Sequence, residues 1–184
     1  MKVQSAEKCA AEILNLLEGG DGRLDGMPAG LEYSLGKIRE LIVPKGYGGL
    51  AIHEASLDQV VATGAAQKFD DWQTALVEAG GVDGQVANNR IVVATAGVYI
   101  VHWHMGYEVS GSSAWVGHIY LDGVDSGIDW ERNVAAAARP GSVSCSAPLT
   151  IPAGGIIEGY IEHNQGGDIT CTKLASQLYV MRIG

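Results

Sequence analysis

A mainly β chain, folded as an antiparallel jelly-roll sandwich behind a short two-helix N-terminal appendage, is what this sequence predicts. Three observations carry that prediction. Apolar residues alternate with polar ones in many short runs between Gly46 and Gly184, the period of strands whose side chains point to opposite faces. Turn-forming clusters separate those runs at intervals of about 8–12 residues. The 26 glycines among 184 residues, about twice the usual share, fall between the apolar runs, where tight turns need them.

Composition narrows the function classes. A chain of this length buries a real core without metal or disulfide staples. Its net charge is −9, from 12 Lys and Arg against 21 Asp and Glu, and it has no basic run. Phosphate binding needs clustered cations, so direct nucleic-acid binding is not expected. The three cysteines are Cys9, Cys145 and Cys171. Their odd number, without CxxC or metal spacing, reads as buried free thiols in a reducing compartment, although Cys145 and Cys171 could meet across two strands. The segment from Met1 to Lys8 leads into an amphipathic stretch and does not read as a signal peptide, and no apolar run approaches membrane-spanning length. No membrane partner is expected.

Residues 1–45 read as a helical anchor or oligomerisation segment. Ser5 is a candidate N-cap, followed at helical spacing by Ala6, Cys9, Ala10, Ile13, Leu14 and Leu17, and Gly19-Gly20 stop that helix. A Gly-rich acidic linker runs from Glu18 to Gly30. A second helical stripe, Leu31, Leu35, Ile38, Leu41 and Ile42, ends at Pro44. Helices this short are marginal in isolation, so their stripes must dock on something. Leu31, Leu35, Ile38 and Ile42 form the candidate docking face.

Residues 46–184 read as the β domain. Leu50 and Ile52, then Val60, Val61 and Ala62, then Phe69 and Trp72 read as short strands, and Val82 to Thr95 as a strand pair around Asn88-Asn89 with Ile91, Val92 and Val93 buried. The centre is Gly97 to Leu121, read as a hairpin turning at Gly111, Ser112 and Ser113. Tyr99, Val101, Trp103 and Met105 share one face of its first strand; Val98, Ile100, His102 and His104 share the other. Asp122-Gly123 is a strong signal for the next hairpin. Val124 to Trp130 is a weaker strand, and the alanine tract from Asn133 to Arg139 is either helical or extended. Ser142 to Ile151, Ile156 to His163, Ile169 to Leu174 and Leu178 to Ile183 complete the domain.

Several constellations invite chemistry. If Ser110 pairs with Ala114, His104 lies opposite Tyr120 with His118 diagonally near, and three imidazoles could approach one zinc ion. The sequence places no fourth ligand, so half-buried histidines near a subunit interface are the better reading and no metal is expected. Asp122, Asp125 and Asp129 lack calcium-loop spacing and read as the acidic rim of a turn. Glu158 and Glu162 share a strand face but stand roughly 13 Å apart, too far for a glycosidase pair. There is no nucleophile elbow and no phosphate-cradling loop. No enzyme activity and no cofactor are expected. The aromatic residues read as core and interface packing, with Tyr107, Tyr120 and Trp130, near strand ends, as candidate ligand contacts.

The second half of the chain carries a recognisable order. A Gly-x-Tyr strand opening and an Asp-Gly turn precede an alternating Ser-rich strand. A Pro-Ala-Gly turn, Ile-Ile-Glu-Gly-Tyr-Ile-Glu and a terminal Leu-Tyr-Val-Met-Arg-Ile-Gly strand follow. This order resembles the TNF-like jelly roll of complement heads, in the versions found in bacteriophage virion proteins, over about Gly46 to Gly184. One position departs from the family: Gly154-Gly155 stands where Gly-Asp is usual.

The resemblance implies a homotrimer about a three-fold axis, with Tyr160 and Tyr179 as candidate interface residues, and no reaction. It implies a structural protein of a virion assembled in the host cytoplasm, a capsid decoration protein or short head or tail fibre. Its N-terminal stripe would dock on other virion proteins such as the major capsid protein. The alternative is a receptor- or glycan-binding head of a fibre or adhesin.

Overall fold

A computed structural model describes residues 46–53, 58–109, 113–134 and 140–183. The two expected helices, with Leu31, Leu35, Ile38 and Ile42, and most of the alanine tract lie outside the described residues. Within them the chain forms β1 (Tyr47–Ile52), β2 (Asp58–Val61), β3 (Gln67–Lys68), β4 (Thr74–Ala75), β5 (Val82–Gln85) and β6 (Arg90–Val93). The longer strands follow: β7 (Gly97–Val109), β8 (Ser113–Leu121), β9 (Val124–Val134), β10 (Pro140–Ile151), β11 (Ile156–His163), β12 (Ile169–Lys173) and β13 (Ser176–Arg182).

All pairings among these strands are antiparallel, and they build two sheets. The first runs β2-β12-β7-β13-β1-β4, with β10 on the other edge of β7; the second runs β5-β6-β11-β8-β9, with β3 also on β11. The antiparallel jelly-roll sandwich expected from alternation is what forms. The Asp122-Gly123 hairpin forms as well. Both residues have positive φ, 52° and 77°, the requirement of the turn whose twist matches its strands, and Leu121 pairs with Val124 across it.

The expected central hairpin does not form. β7 pairs with β10, β12 and β13 in the first sheet, whereas β8 pairs with β9 and β11 in the second. The chain arches from one sheet to the other between them. Each strand has a fully apolar inner face: Tyr99, Val101, Trp103 and Met105 on β7, Trp115 and Ile119 on β8 are all at most 1% exposed. An arch lets those two faces meet across the core, where a hairpin would set them side by side in one sheet.

Trp103 sits at the centre of this core. Its indole packs on Gly117 of β8 and Gly159 of β11, where any added Cβ would stand 2.9 Å from the ring. The two glycines are a recess for one large side chain. Phe69 meets the same indole edge-on, with centroids 5.8 Å apart, and Trp72 packs on Phe69 at 5.2 Å. Phe69 and Trp72 are expected in a strand, yet both lie in the loop between β3 and β4 and pack into the core. In β6 the buried residues alternate, so Ile91 and Val93 are in the core and Val92 is only half-buried.

Candidate functional site

The sandwich presents two outer faces and an open edge. On the outer face of the first sheet, β7 exposes Val98, Ile100, His102 and His104, all half-buried. Register carries apolar side chains across four strands at this level. Ile100 stands between Met181 of β13 and Pro148 of β10, and Met181 pairs in turn with Tyr47 of β1. Ile183 donates its N–H to the Val98 carbonyl at 2.8 Å, extending the patch by one row. Met181 and Ile183 are 43% and 53% exposed. Beside them the Tyr179 ring stacks on His102 at 4.8 Å. Burial, and secondarily the neighbouring His104, lowers the pKa of His102, so the neutral imidazole suits this apolar surface.

The outer face of the second sheet has a different character. Tyr120 of β8 and Tyr160 of β11 stack with centroids 3.8 Å apart and planes 18° from parallel. His118, cross-strand from Tyr160, meets the Tyr120 ring edge-on at 6.5 Å. Its Nδ1 lies 3.5 Å from an Asp125 carboxylate oxygen and its Nε2 3.5 Å from Glu162. Neither nitrogen makes a hydrogen bond. Asp125 reaches this position from β9 at a bulge formed by Ser126 and Gly127, the latter with φ of 72°. Glu158, on the same face, binds the Lys68 ammonium at 2.5 Å. Burial foremost, then Asp125 and Glu162, raises the pKa of Tyr120; burial and Glu158 raise that of Tyr160.

At the open edge a groove of about 350 Å³ runs between β9 and β10, lined by Ile128, Asp129, Trp130, Ser144, Cys145 and Ser146 among others. Trp130 pairs with Gly117 and so belongs to the inner face, but on the edge strand β9 it is 56% exposed.

The sequence-derived candidates separate accordingly. Tyr160 and Tyr179 lie on the outer faces of opposite sheets and do not form one patch. Tyr120 and Trp130 are accessible. Tyr107 is not a surface residue: it is fully buried and packs on Trp115 at 5.5 Å, because its position on β7 keeps it in phase with Trp103. The three histidines do not converge, since His102 and His104 belong to the first sheet and His118 to the second. Among the described residues no group of three or more His, Cys, Asp or Glu is placed to hold a metal ion. Cys145 and Cys171 are free and buried, on different strands of one sheet.

Sequence reasoning missed Lys173. Its side chain is fully buried, and its ammonium is held by the Asp70 carboxylate and by Asp71 at 2.9 Å. It also lies 5.4 Å from the Phe69 ring centroid. This ion pair pins the loop that carries Phe69 and Trp72 against β12. The adjacent Asp70-Asp71 was the visible signal, but nothing in the sequence joined it to a lysine some hundred residues later.

No family model matches the sequence, and comparison with curated proteins finds no match. Solved structures do match in fold. Eiger TNF from S. frugiperda gives a TM-score of 0.52 at 16% identity, covering 77% of this chain and 94% of that one. The globular domain of zebrafish complement 1qA gives 0.52 at 17%, covering 77% and 98%. Murine APRIL gives 0.50 at 14%, covering 74% and 99%. The fold is the TNF- and C1q-like jelly roll.

Proposed function

We propose that this chain is a non-enzymatic head that works as a homotrimer, associating through the outer face of the first sheet. The observation that carries the reading is the apolar patch of Tyr47, Val98, Ile100, Met181 and Ile183, with Tyr179 stacked beside it. A contiguous apolar face on a soluble domain marks a surface that is covered in use, and closed symmetric assembly is the usual way to cover it. Replacing Ile100 and Met181 with Asp should dissociate the assembly while leaving the core residues of β7 and β13 in place.

The finer reading is a structural protein of a phage virion, a capsid decoration protein or short head or tail fibre. Its β domain would project, and its N-terminal segment would dock on other virion proteins, such as the major capsid protein, through Leu31, Leu35, Ile38 and Ile42. What supports it is the sequence pattern of the second half of the chain. Mapping the protein in a reconstruction of purified particles tests it, and particles without it reject it.

A second reading, a receptor- or glycan-binding head, is favoured by Trp130. An exposed indole beside Asp129 and the serines of β10 offers a sugar one apolar face and several polar partners. Trp130→Ala should then abolish binding on a glycan array without changing assembly.

A further inference from the structure

We propose that the outer face of the second sheet is a binding site for arginine or lysine side chains presented by a basic protein segment. The face carries five carboxylates: Glu158 and Glu162 from β11, and Asp125, Asp129 and Glu131 from β9, the last three aligned with Tyr120, His118 and Val116. Lys68 from β3 meets Glu158, and its ammonium is also taken up by the Asn88 carbonyl. Among the described side chains, the Lys68–Glu158 contact is the lysine or arginine ion pair on this face.

His118 lies beneath this surface, nine-tenths buried, with both ring nitrogens lacking a hydrogen bond. The ring has a carboxylate on each side at 3.5 Å, beyond the reach of a good hydrogen bond. The ring therefore donates a hydrogen bond to neither Glu162 nor Asp125, and Asp125 takes the Gly127 N–H at 2.9 Å instead. The half-exposed Tyr120–Tyr160 stack supplies the other element such a ligand uses. A guanidinium or ammonium is attracted to a tyrosine face, and a guanidinium pairs a carboxylate through two parallel N–H groups. The site is on the opposite face from the apolar patch, so it remains open whether or not the chain self-associates there. Its charge repels nucleic acids and anionic lipid surfaces, which leaves a basic protein as the partner.

The test uses the full chain and a fluorescein-labelled oligoarginine peptide, read by fluorescence anisotropy at low salt, with oligoglutamate as the control. Oligoarginine is expected to bind and oligoglutamate not. Replacing both Tyr120 and Tyr160 with Leu should weaken binding roughly tenfold. The Phe pair, which keeps the ring faces, should bind as the wild type does. Glu162→Gln should weaken binding more than Asp168→Asn, an equal charge change at an exposed position in the loop between β11 and β12. Should the Leu pair not fold, the Phe pair and the two single-charge variants still decide. Absence of oligoarginine binding overturns the proposal. So does equal weakening by Glu162→Gln and Asp168→Asn, which would mean attraction by net charge alone.

Discussion

The indole of Trp103 lies against the backbone of Gly159 so closely that a Cβ there would meet Cε2 at 2.9 Å. The neighbouring atom is part of a rigid ring in a core that is packed on every side, so it has nowhere to move. Gly159→Ala is therefore expected to cost about 1–3 kcal/mol, and Gly117→Ala, which meets the same ring, a similar amount. Urea denaturation measures both. Wild-type stability in either variant would mean that the indole has another seat.

The Lys173 ion pair gives an asymmetric prediction. Its two aspartates are 43% and 45% exposed, while its own side chain is not exposed at all. Removing both carboxylates, with Asp70→Asn and Asp71→Asn, leaves a buried ammonium without a counter-charge, at about 3–5 kcal/mol. Lys173→Met leaves two carboxylates that water can solvate and should cost much less. Thermal unfolding of the two variants checks the order, and the reverse order contradicts it.

Alkaline pH should destabilise the fold through its thiols. Burial foremost pushes Cys145 up to about 11 and Cys171 up to about 12, from an ordinary 9.0. Folded values above unfolded ones mean that the native state holds its protons longer. This contribution to stability is complete below pH 9.0, declines above it, and is lost once pH passes about 11 for Cys145 and about 12 for Cys171. The Tm should fall from pH 9 upward, and less steeply in a Cys145→Ala, Cys171→Ala variant. Parallel slopes in the two proteins would contradict this account.

Much of this fold was legible in the sequence because alternation assigns each side chain to a face. Period alone puts Tyr99, Val101 and Trp103 on one face and Val98 and Ile100 on the other, and the structure shows the first of these to be the buried one. Alternation does not assign partners. β7 and β8 satisfy it equally as a hairpin or as an arch, so His118 was set beside His104 when the two lie in different sheets. The bulge at Ser126-Gly127, which brings Asp125 to Tyr120, and the glycine recess for Trp103 arise from contacts between distant strands. Tyr107 was misread for a related reason: nearness to a strand end says nothing of whether the facing sheet extends that far.

The role assigned to the N-terminal stripe is open to a direct trial. If the proposed virion role holds, deleting Met1 to Val43 leaves a folded, trimeric β domain that no longer attaches to a particle. Leu35→Asp with Ile38→Asp should abolish attachment without lowering the Tm, because a charge set in an apolar contact costs several kcal/mol only where that contact is made. A sharp fall in the Tm of the isolated protein would assign the stripe to the sandwich instead.

Self-association through the outer face of the first sheet is the central claim, and multi-angle light scattering of the purified chain at micromolar concentration tests it most directly. The account predicts three times the 19.3 kDa chain mass, falling to the mass of one chain when Ile100 and Met181 are both replaced by Asp. A wild-type protein that elutes at the mass of a single chain would contradict it.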